Sequence, residues 1–385
     1  MKTVNFLTSH FLPENTAGTN RVLSYVKELE KKYKVNVVCL TERGKYEQDE
    51  RVHYSSNIDI YYVNQKEYDT EKFFSRALWE MKFTMNLVKR AKLIPSDVTI
   101  ATSPFMFIIP VLALYDKQSK KIIDIRDITW EYIDANSKFK KFLKRAIAKL
   151  MQSSIDMYDF VCVTNTFEQD WVNTNTRNRN MKQISNGIEI QKFEELSQIE
   201  INKDIPFTIT YIGNIAIGQN VKILVDGAKN LPGVKVNIVG EGTLYRSLKE
   251  YVELNKITNI EFFGKVDRSE IVNFYQNSSV LYAQLDEHFK TAMPSKLYEY
   301  ASTGLPIIYG GIGEAVKFVN KLENAVTIPP NNPKILRETI LSFKDTKFTI
   351  SHKNRRFVKN NFIREIESAK LVDIVDELIN LKEVK

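Results

Sequence analysis

The stretch Ala292-Met-Pro-Ser-Lys-Leu-Tyr-Glu-Tyr-Ala-Ser-Thr-Gly-Leu-Pro-Ile-Ile-Tyr-Gly-Gly311 reads as a loop, a short helix, a stop and an apolar strand. Pro294 suits the first helical position because its fixed φ is already helical and its missing N–H would be unpaired there, while Gly304 and Pro306 supply the stop. Steps of three and four residues gather Lys296, Glu299 and Thr303 on one face, expected to look outward, and Leu297, Ala301 and Gly304 on another, expected to pack. Lys296 and Glu299 could form a surface ion pair. Lysine before glutamate is the weaker order, however, and a cation in the first turn opposes the helix dipole. An anion docked at the helix start removes that conflict. Backbone N–H groups plus a lysine make a phosphate site, and a carboxylate one turn on can accept hydrogen bonds from ribose hydroxyls. From these residues alone both readings stay open.

The run Pro294-Ser-Lys-Leu-Tyr-Glu-Tyr-Ala301, followed by Gly304, Pro306, Ile307 and Ile308, resembles the C-terminal signature of retaining family-4 glycosyltransferases, in the branch that builds bacterial O-antigens and capsules with amino- and deoxysugars. The resemblance implies the GT-B plan: an α/β protein of two Rossmann-like domains facing across a cleft, with a C-terminal helix that crosses back to the N-terminal domain. It implies Lys296 on the donor phosphates and Glu299 on the ribose, with Ser295 and Leu297 in the same donor-binding segment. The first glutamate usual in that family is replaced here by Thr291.

Three further segments carry the resemblance or fit beside it. Phe11-Leu-Pro-Glu-Asn-Thr-Ala-Gly18-Thr-Asn-Arg21 leads from a strand into a helix and has a single glycine where backbone can approach a ligand closely. By residues alone it is an ordinary strand-to-helix loop; the resemblance implies that Gly18 and Thr19 face the donor. Ile123-Asp-Ile-Arg-Asp127-Ile-Thr-Trp-Glu131 resembles the branch's D-I-R-D-x-W-P-E segment without its proline. Asp124, Arg126 and Asp127 could serve as catalytic groups on acceptor hydroxyls, or could pair with one another and cap a helix. Tyr211-Ile-Gly-Asn-Ile-Ala-Ile-Gly-Gln-Asn220 resembles Y-x-G-N-I-G-x-A-Q. Here Gly213, Asn214 and Gln219 donate hydrogen bonds without charge, which would leave Lys296 as the main cation on the phosphates. Gly240 in Val239-Gly-Glu-Gly242, and Gly264 with Val266 in Phe262-Phe-Gly-Lys-Val266, are further strand ends suited to lining a flat base, although glycine after a strand most often only makes a turn.

The chain has 385 residues, 43% hydrophobic and 26% charged, enough for two ordinary domains and without a compositional sign of disorder. A net charge of +8 favours an anionic partner without choosing among nucleotide, lipid and nucleic acid. No groove-reading motif supports nucleic acid. Cys39 and Cys162 lie in β-like apolar runs and read as small buried hydrophobes. The N-terminus shows no cleavable leader, and the apolar run 105–115 is too short to span a bilayer, so a cytoplasmic protein with a buried core helix is expected. No Asp-x-Asp occurs, and His10, His53, His288 and His352 are scattered, so neither a metal nor another cofactor is expected. Serine-hydrolase, P-loop and zinc signatures are also missing.

Strand-like and helix-like segments alternate throughout, the pattern of parallel sheets covered by helices. Expected strands are 4–8, 35–40, 58–63, 98–102, 121–125 and 160–164, then 207–212, 234–239, 260–263, 280–283 and 305–309. The polar, aperiodic segment 188–206 reads as a linker. The expected domains are thus 1–187 for the acceptor, 188–365 for the donor, and a helix over 366–385 with Leu371, Ile374, Leu378 and Leu381 among its apolar positions. A basic helix at 137–150 carries Lys138, Lys140, Lys141, Lys144, Arg145 and Lys149 with Phe139 and Phe142 at helical spacing. It could lie on an anionic membrane or pack its stripe on its own sheet. With Phe73, Phe74, Leu78 and Trp79 nearby, peripheral membrane contact is favoured.

Together these readings predict a retaining, metal-independent glycosyltransferase that moves a sugar, N-acetylated amino or deoxy by the resemblance, from a UDP-type donor to a lipid-linked glycan precursor. In such enzymes the leaving phosphate itself can assist the acceptor, so a protein base need not exist. The rivals are a catalytically silent nucleotide-sugar-binding partner of an assembly complex, and a sugar-nucleotide epimerase.

Overall fold

A computed structural model describes residues 1–14, 16–41, 50–64, 73–133, 136–202 and 205–383. The chain divides into two compact units, Met1–Asn186 with Arg364–Lys385, and Gly187–Ile363. The crossings fall at 186/187 and 363/364, against 187/188 and 365/366 in the sequence reading.

The first unit runs β1 (Thr3–Thr8), α1 (Ala17–Leu29), β2 (Lys34–Leu40), β3 (Glu50–Ser55), β4 (Ile58–Val63), α2 (Phe73–Lys92), β5 (Val98–Thr102), α3 (Ile108–Tyr115), β6 (Lys120–Ile125), α4 (Lys138–Ile155), β7 (Phe160–Val163), α5 (Thr166–Asn175) and β8 (Met181–Gln183). Its strands form one sheet in the order β3-β4-β2-β1-β5-β6-β7-β8, parallel except for β3 against β4. β1 and β2, buried almost throughout, are near-continuous apolar runs because helices cover both faces. α3 is the expected core helix, with Ile108, Ile109, Pro110, Leu112 and Ala113 buried. Cys39 and Cys162 are buried free thiols.

The second unit runs α6 (Ile190–Ser197), β9 (Phe207–Ile212), α7 (Lys222–Ala228), β10 (Val234–Val239), α8 (Tyr245–Leu254), β11 (Ile260–Gly264), α9 (Arg268–Gln276), β12 (Val280–Gln284), α10 (Ser295–Thr303), β13 (Ile307–Gly310), α11 (Glu314–Val319), β14 (Ala325–Ile328), α12 (Pro333–Lys344) and α13 (His352–Asn361). Its sheet is parallel throughout, in the order β11-β10-β9-β12-β13-β14. Strand order reverses between β9 and β12, and at such a switch point the loops diverge and leave a crevice.

Two expectations change. The segment 188–206 is not a plain linker: it holds α6, whose Phe193 and Leu196 are buried and which packs on α10. Three strands went unread. β3 is a largely exposed antiparallel edge, β8 has three residues, and β14 is a four-residue strand following Asn324.

The last helix, α14 (Arg364–Glu383), returns to the first unit and packs on α1. Leu371, Ile374, Val375 and Leu378 enter the same core as Val22, Val26 and Leu29. Polar ties flank that seam: Ser368 Oγ donates to Ser24 Oγ at 2.8 Å, and Lys32 Nζ lies 2.6 Å from Asp376 Oδ2. The side chain of Leu381, like those of Phe73 and Phe74, lies outside the described residues. Among the described residues no helix is long and apolar enough to cross a membrane. Leu371→Ala is expected to lower stability by about 2–5 kcal/mol, since it leaves a cavity in a closed core. Urea unfolding reads this as a lower midpoint at unchanged slope, and a loss under about 0.5 kcal/mol would show that α14 is not part of that core.

Candidate active site

In the second unit three neighbouring strand ends are tied together by backbone. The Gly213 N–H donates to Val239 O at 2.9 Å, the Gly240 N–H to Gly264 O at 2.7 Å, and the Ile215 N–H to Glu241 O at 2.8 Å. Gly213 and Gly240 have φ of +146° and +128°, and a Cβ on Gly240 would stand 2.0 Å from the Gly213 carbonyl oxygen. Only glycine permits that approach. The expected convergence of Gly213, Gly240 and Gly264 on one sheet edge is therefore present, with Val266 half-buried beside it against the core.

α10 begins after Pro294, which stands as its N-cap with φ of −64° and not as its first helical residue, and ends at Gly304 with φ of +72°. Ser295 and Lys296 open the helix with backbone N–H groups that have no preceding turn to bond. The Leu297 N–H instead donates to Pro294 O, and its side chain is fully buried. Leu297 is thus a core residue, as its helical face predicted, and its side chain is not open to the donor contact that the resemblance implied. Thr303, expected to look outward, is also fully buried and donates to Tyr300 O at 2.7 Å. The helix is covered on most sides, by α6 and α13 among others.

Lys296 bends toward the sheet. Its Nζ is shielded from solvent, has no hydrogen-bond partner among the described residues, and sits 4.0 Å from the centroid of the Tyr211 ring. Burial, the largest influence, pulls this amine down to about 7, and the nearby Glu299 charge acts the other way. Glu299 does not pair with Lys296. Its carboxylate takes Lys192 Nζ at 2.7 Å and the Tyr275 hydroxyl at 3.4 Å. Lys192 lies on α6, in the stretch read as linker, so no local pattern pointed to it.

The neighbouring loops are held tightly. The Asp286 N–H donates to Gly218 O at 2.8 Å and Asn331 Nδ2 to Asp286 Oδ2 at 2.8 Å, while the Phe289 ring packs over Gly218. Gln219 belongs to a single 3-10 turn, Ile217–Gln219, with its Oε1 buried. Asn214 is exposed, and its carbonyl accepts from the Tyr211 hydroxyl at 2.5 Å. Thr291, at 3% exposure, is turned inside.

The first unit carries a second cluster. Asp124 is fully buried at the end of β6: Arg21 Nε and Nη2 donate to its two oxygens at 3.1 and 2.8 Å, and Thr102 Oγ1 donates at 2.9 Å. With its oxygens so engaged, Asp124 anchors α1 to the sheet and is not open to an acceptor, contrary to its expected catalytic place. Arg126 lies beside the loop that carries Gly18. Its guanidinium lies over Gly18, where a Cβ would meet Nη1 at 2.6 Å, its Nε is buried without a partner among the described residues, and burial lowers its pKa. Thr19 is buried in the first turn of α1, where its N–H and hydroxyl bond Thr16 Oγ1 at 3.1 and 3.0 Å. Asp127 is half-buried, and its charge adds to the burial that raises Glu168 to about 8. Glu168, which accepts from the Thr164 N–H at 2.6 Å, and Arg21 were both missed. Glu168 stands three residues after the N-cap Asn165, a capping-box spacing that could have marked it, whereas Arg21 reaches Asp124, 103 positions on, only through the fold.

On α4 the expected stripe does not pack as a whole. Phe139 and Phe142 are 65% and 69% exposed among exposed Lys138, Lys140, Lys141 and Arg145, and burial is confined to Met151, Ser154 and Ile155. Leu78 and Met81 of α2 are also exposed, while Phe83 turns inward.

The fold, two α/β units built on largely parallel sheets, is the GT-B fold of the glycosyltransferase structures it resembles. Residues 192–363, nearly the whole of the second unit, match the family Glycosyl transferases group 1. An uncharacterised glycosyltransferase of Methanocaldococcus jannaschii is 24% identical over 159 residues, a match that spans 39% of this chain and 42% of that protein. Among solved structures, sucrose-phosphate synthase from Thermosynechococcus elongatus superposes with a TM-score of 0.76 at 13% identity, covering 99% of this chain and 100% of that one. The Anabaena protein HepE, solved with UDP and glucose, gives 0.64 at 12% identity, covering 98% and 100%.

The buried amine sets a pH dependence. Between its usual 10.5 and about 7 the unfolded chain carries a proton that the folded unit does not. The cost of this group to folding therefore grows as pH falls through that window and is complete below about 7. A diphosphate, which needs the charged amine, reverses the preference. UDP affinity measured by calorimetry is expected to weaken about tenfold per pH unit above 7, and Lys296→Met should abolish that slope. A flat profile in the unaltered protein would remove Lys296 from the anion site.

Proposed function

We propose that this chain transfers a sugar from a nucleoside diphosphate, uridine-based, to a lipid-linked glycan precursor of a bacterial surface polysaccharide, with retention of configuration and without a metal or other cofactor. The second unit would take the donor and the first the acceptor. The observation that carries the reading is a desolvated lysine amine without a hydrogen-bond partner among the described residues, at the open start of α10, beside the switch point of a parallel sheet. As the sugar leaves, negative charge builds on the diphosphate, and a cation already stripped of water acts on it strongly. The first-turn N–H groups of α10 add to that field. Glu299, held by Lys192 and Tyr275, is a fixed carboxylate for ribose hydroxyls. An N-acetylated amino or deoxy sugar as the transferred group rests on the sequence resemblance.

In a transfer assay with a panel of UDP-sugars, Lys296→Ala should lower turnover about a hundredfold or more, the scale of one lost oxyanion donor. Its unfolding midpoint should stay at or above that of the unaltered protein, because a buried unpaired amine is removed. Unchanged transfer by this variant would sink the assignment. A second reading, a silent nucleotide-sugar-binding partner, draws on Thr291, which is buried where the resembled family carries its first glutamate. UDP-sugar binding without transfer or hydrolysis would favour it.

The acceptor's lipid suggests a role for α4. Exposed Phe139 and Phe142 among lysines suit the headgroup boundary of an anionic bilayer at the inner face of the cell membrane, the rings dipping in and the ammonium groups meeting phosphates. Vesicles with anionic lipid should co-float with the protein, and Phe139→Ser with Phe142→Ser should release it. Equal flotation of both proteins would exclude this helix as the contact.

A further inference from the structure

The seat of the Lys296 amine is built with more care than a chance contact requires. Tyr211, at the end of β9, is fully buried, and its ring is held from rotating away by its own hydroxyl, which donates to Asn214 O at 2.5 Å. Gly213 completes the seat: a Cβ there would stand 2.6 Å from Nζ and 3.0 Å from Cε, so any side chain would push the amine off the ring. Tyr300, on the same helix as Lys296, bonds back to this strand, its hydroxyl accepting from the Ile212 N–H at 3.0 Å. Glu299, the carboxylate whose charge reaches the amine, is tied to Lys192 and does not compete for it. An ammonium over a tyrosine face keeps a fraction of the attraction it would have to water or an anion, and a neutral amine is tolerated there as well.

We propose that Tyr211 and Gly213 form a receptacle that stores the Lys296 amine in a dry, weakly held position until a diphosphate draws it off, which makes Tyr211 a positioning residue for the cation of the donor site. The idea rests on the diphosphate reading above for what removes the amine, but not for where the amine is kept. Its physical consequence is that the lysine reaches the anion already desolvated, without first shedding tightly bound water.

The test uses the full chain grown with lysine carbon-13 labelled at Cε, with the Lys296 signal identified by its loss in Lys296→Met. Protons over the face of an aromatic ring resonate upfield, so the Lys296 Hε signals are expected upfield of the group formed by exposed lysines. Tyr211→Phe, which keeps the ring, should retain the shift, and Tyr211→Leu should lose it. Saturating UDP should return the signal toward the exposed group. A Lys296 signal within the exposed group in the unaltered protein overturns the receptacle, and this holds even if Tyr211→Leu fails to fold. An upfield signal that Tyr211→Leu leaves in place overturns the part given to Tyr211. An upfield signal that UDP does not move, with no heat of UDP binding, leaves the receptacle standing and instead refutes the diphosphate reading.

Discussion

Gly240 lies so close to Gly213 that one added carbon would stand 2.0 Å from a carbonyl oxygen, and this approach governs the edge of the second sheet. The ends of β9, β10 and β11 are tied backbone to backbone, and the side chains that stand against Gly213 are those of Lys296 and Tyr211. The Tyr211 hydroxyl reaches a carbonyl of the same turn.

The two units use buried charge in opposite ways. In the first, Arg21 and Asp124 satisfy one another in a two-pronged contact completed by Thr102, so a buried pair serves as a fixed joint between α1 and β6. In the second, Lys296 has lost its water without gaining a counter-charge, which is costly at rest and useful only if an anion arrives. The contrast lies in partners and not in exposure, since Arg21 and the Lys296 amine are both hidden. Arg126, pressed over Gly18, likewise has a buried Nε without a partner among the described residues.

The helix α10 also explains how a small motif can hold a whole unit. Leu297, Tyr298, Tyr300, Ala301, Ser302 and Thr303 are buried, so the segment is locked by packing and the Lys296 and Glu299 side chains start from a rigid base. Rigid support is what electrostatic preorganisation needs. Glu299 has that support twice over, from its helix and from Lys192.

Alternating apolar runs and helical periods were enough to read two parallel-sheet units, and Pro294 and Gly304 were enough to mark the bounds of the short helix α10 in the second. These are properties of near neighbours, set by dihedral preference and by the three- and four-residue spacing of a helix. The partners were not legible. Lys192 stands 107 positions before Glu299 in a stretch with no clear period, and Arg21 stands 103 before Asp124, so only the folded chain could decide that one carboxylate is a clamped acceptor and the other a buried joint. Helical angle placed Leu297 inside and Thr303 outside, and only the first is right, because an angle says no more than where a side chain points. What it points at depends on α6 and α13, elements that pack from elsewhere along the chain, and burial is decided by that arrival.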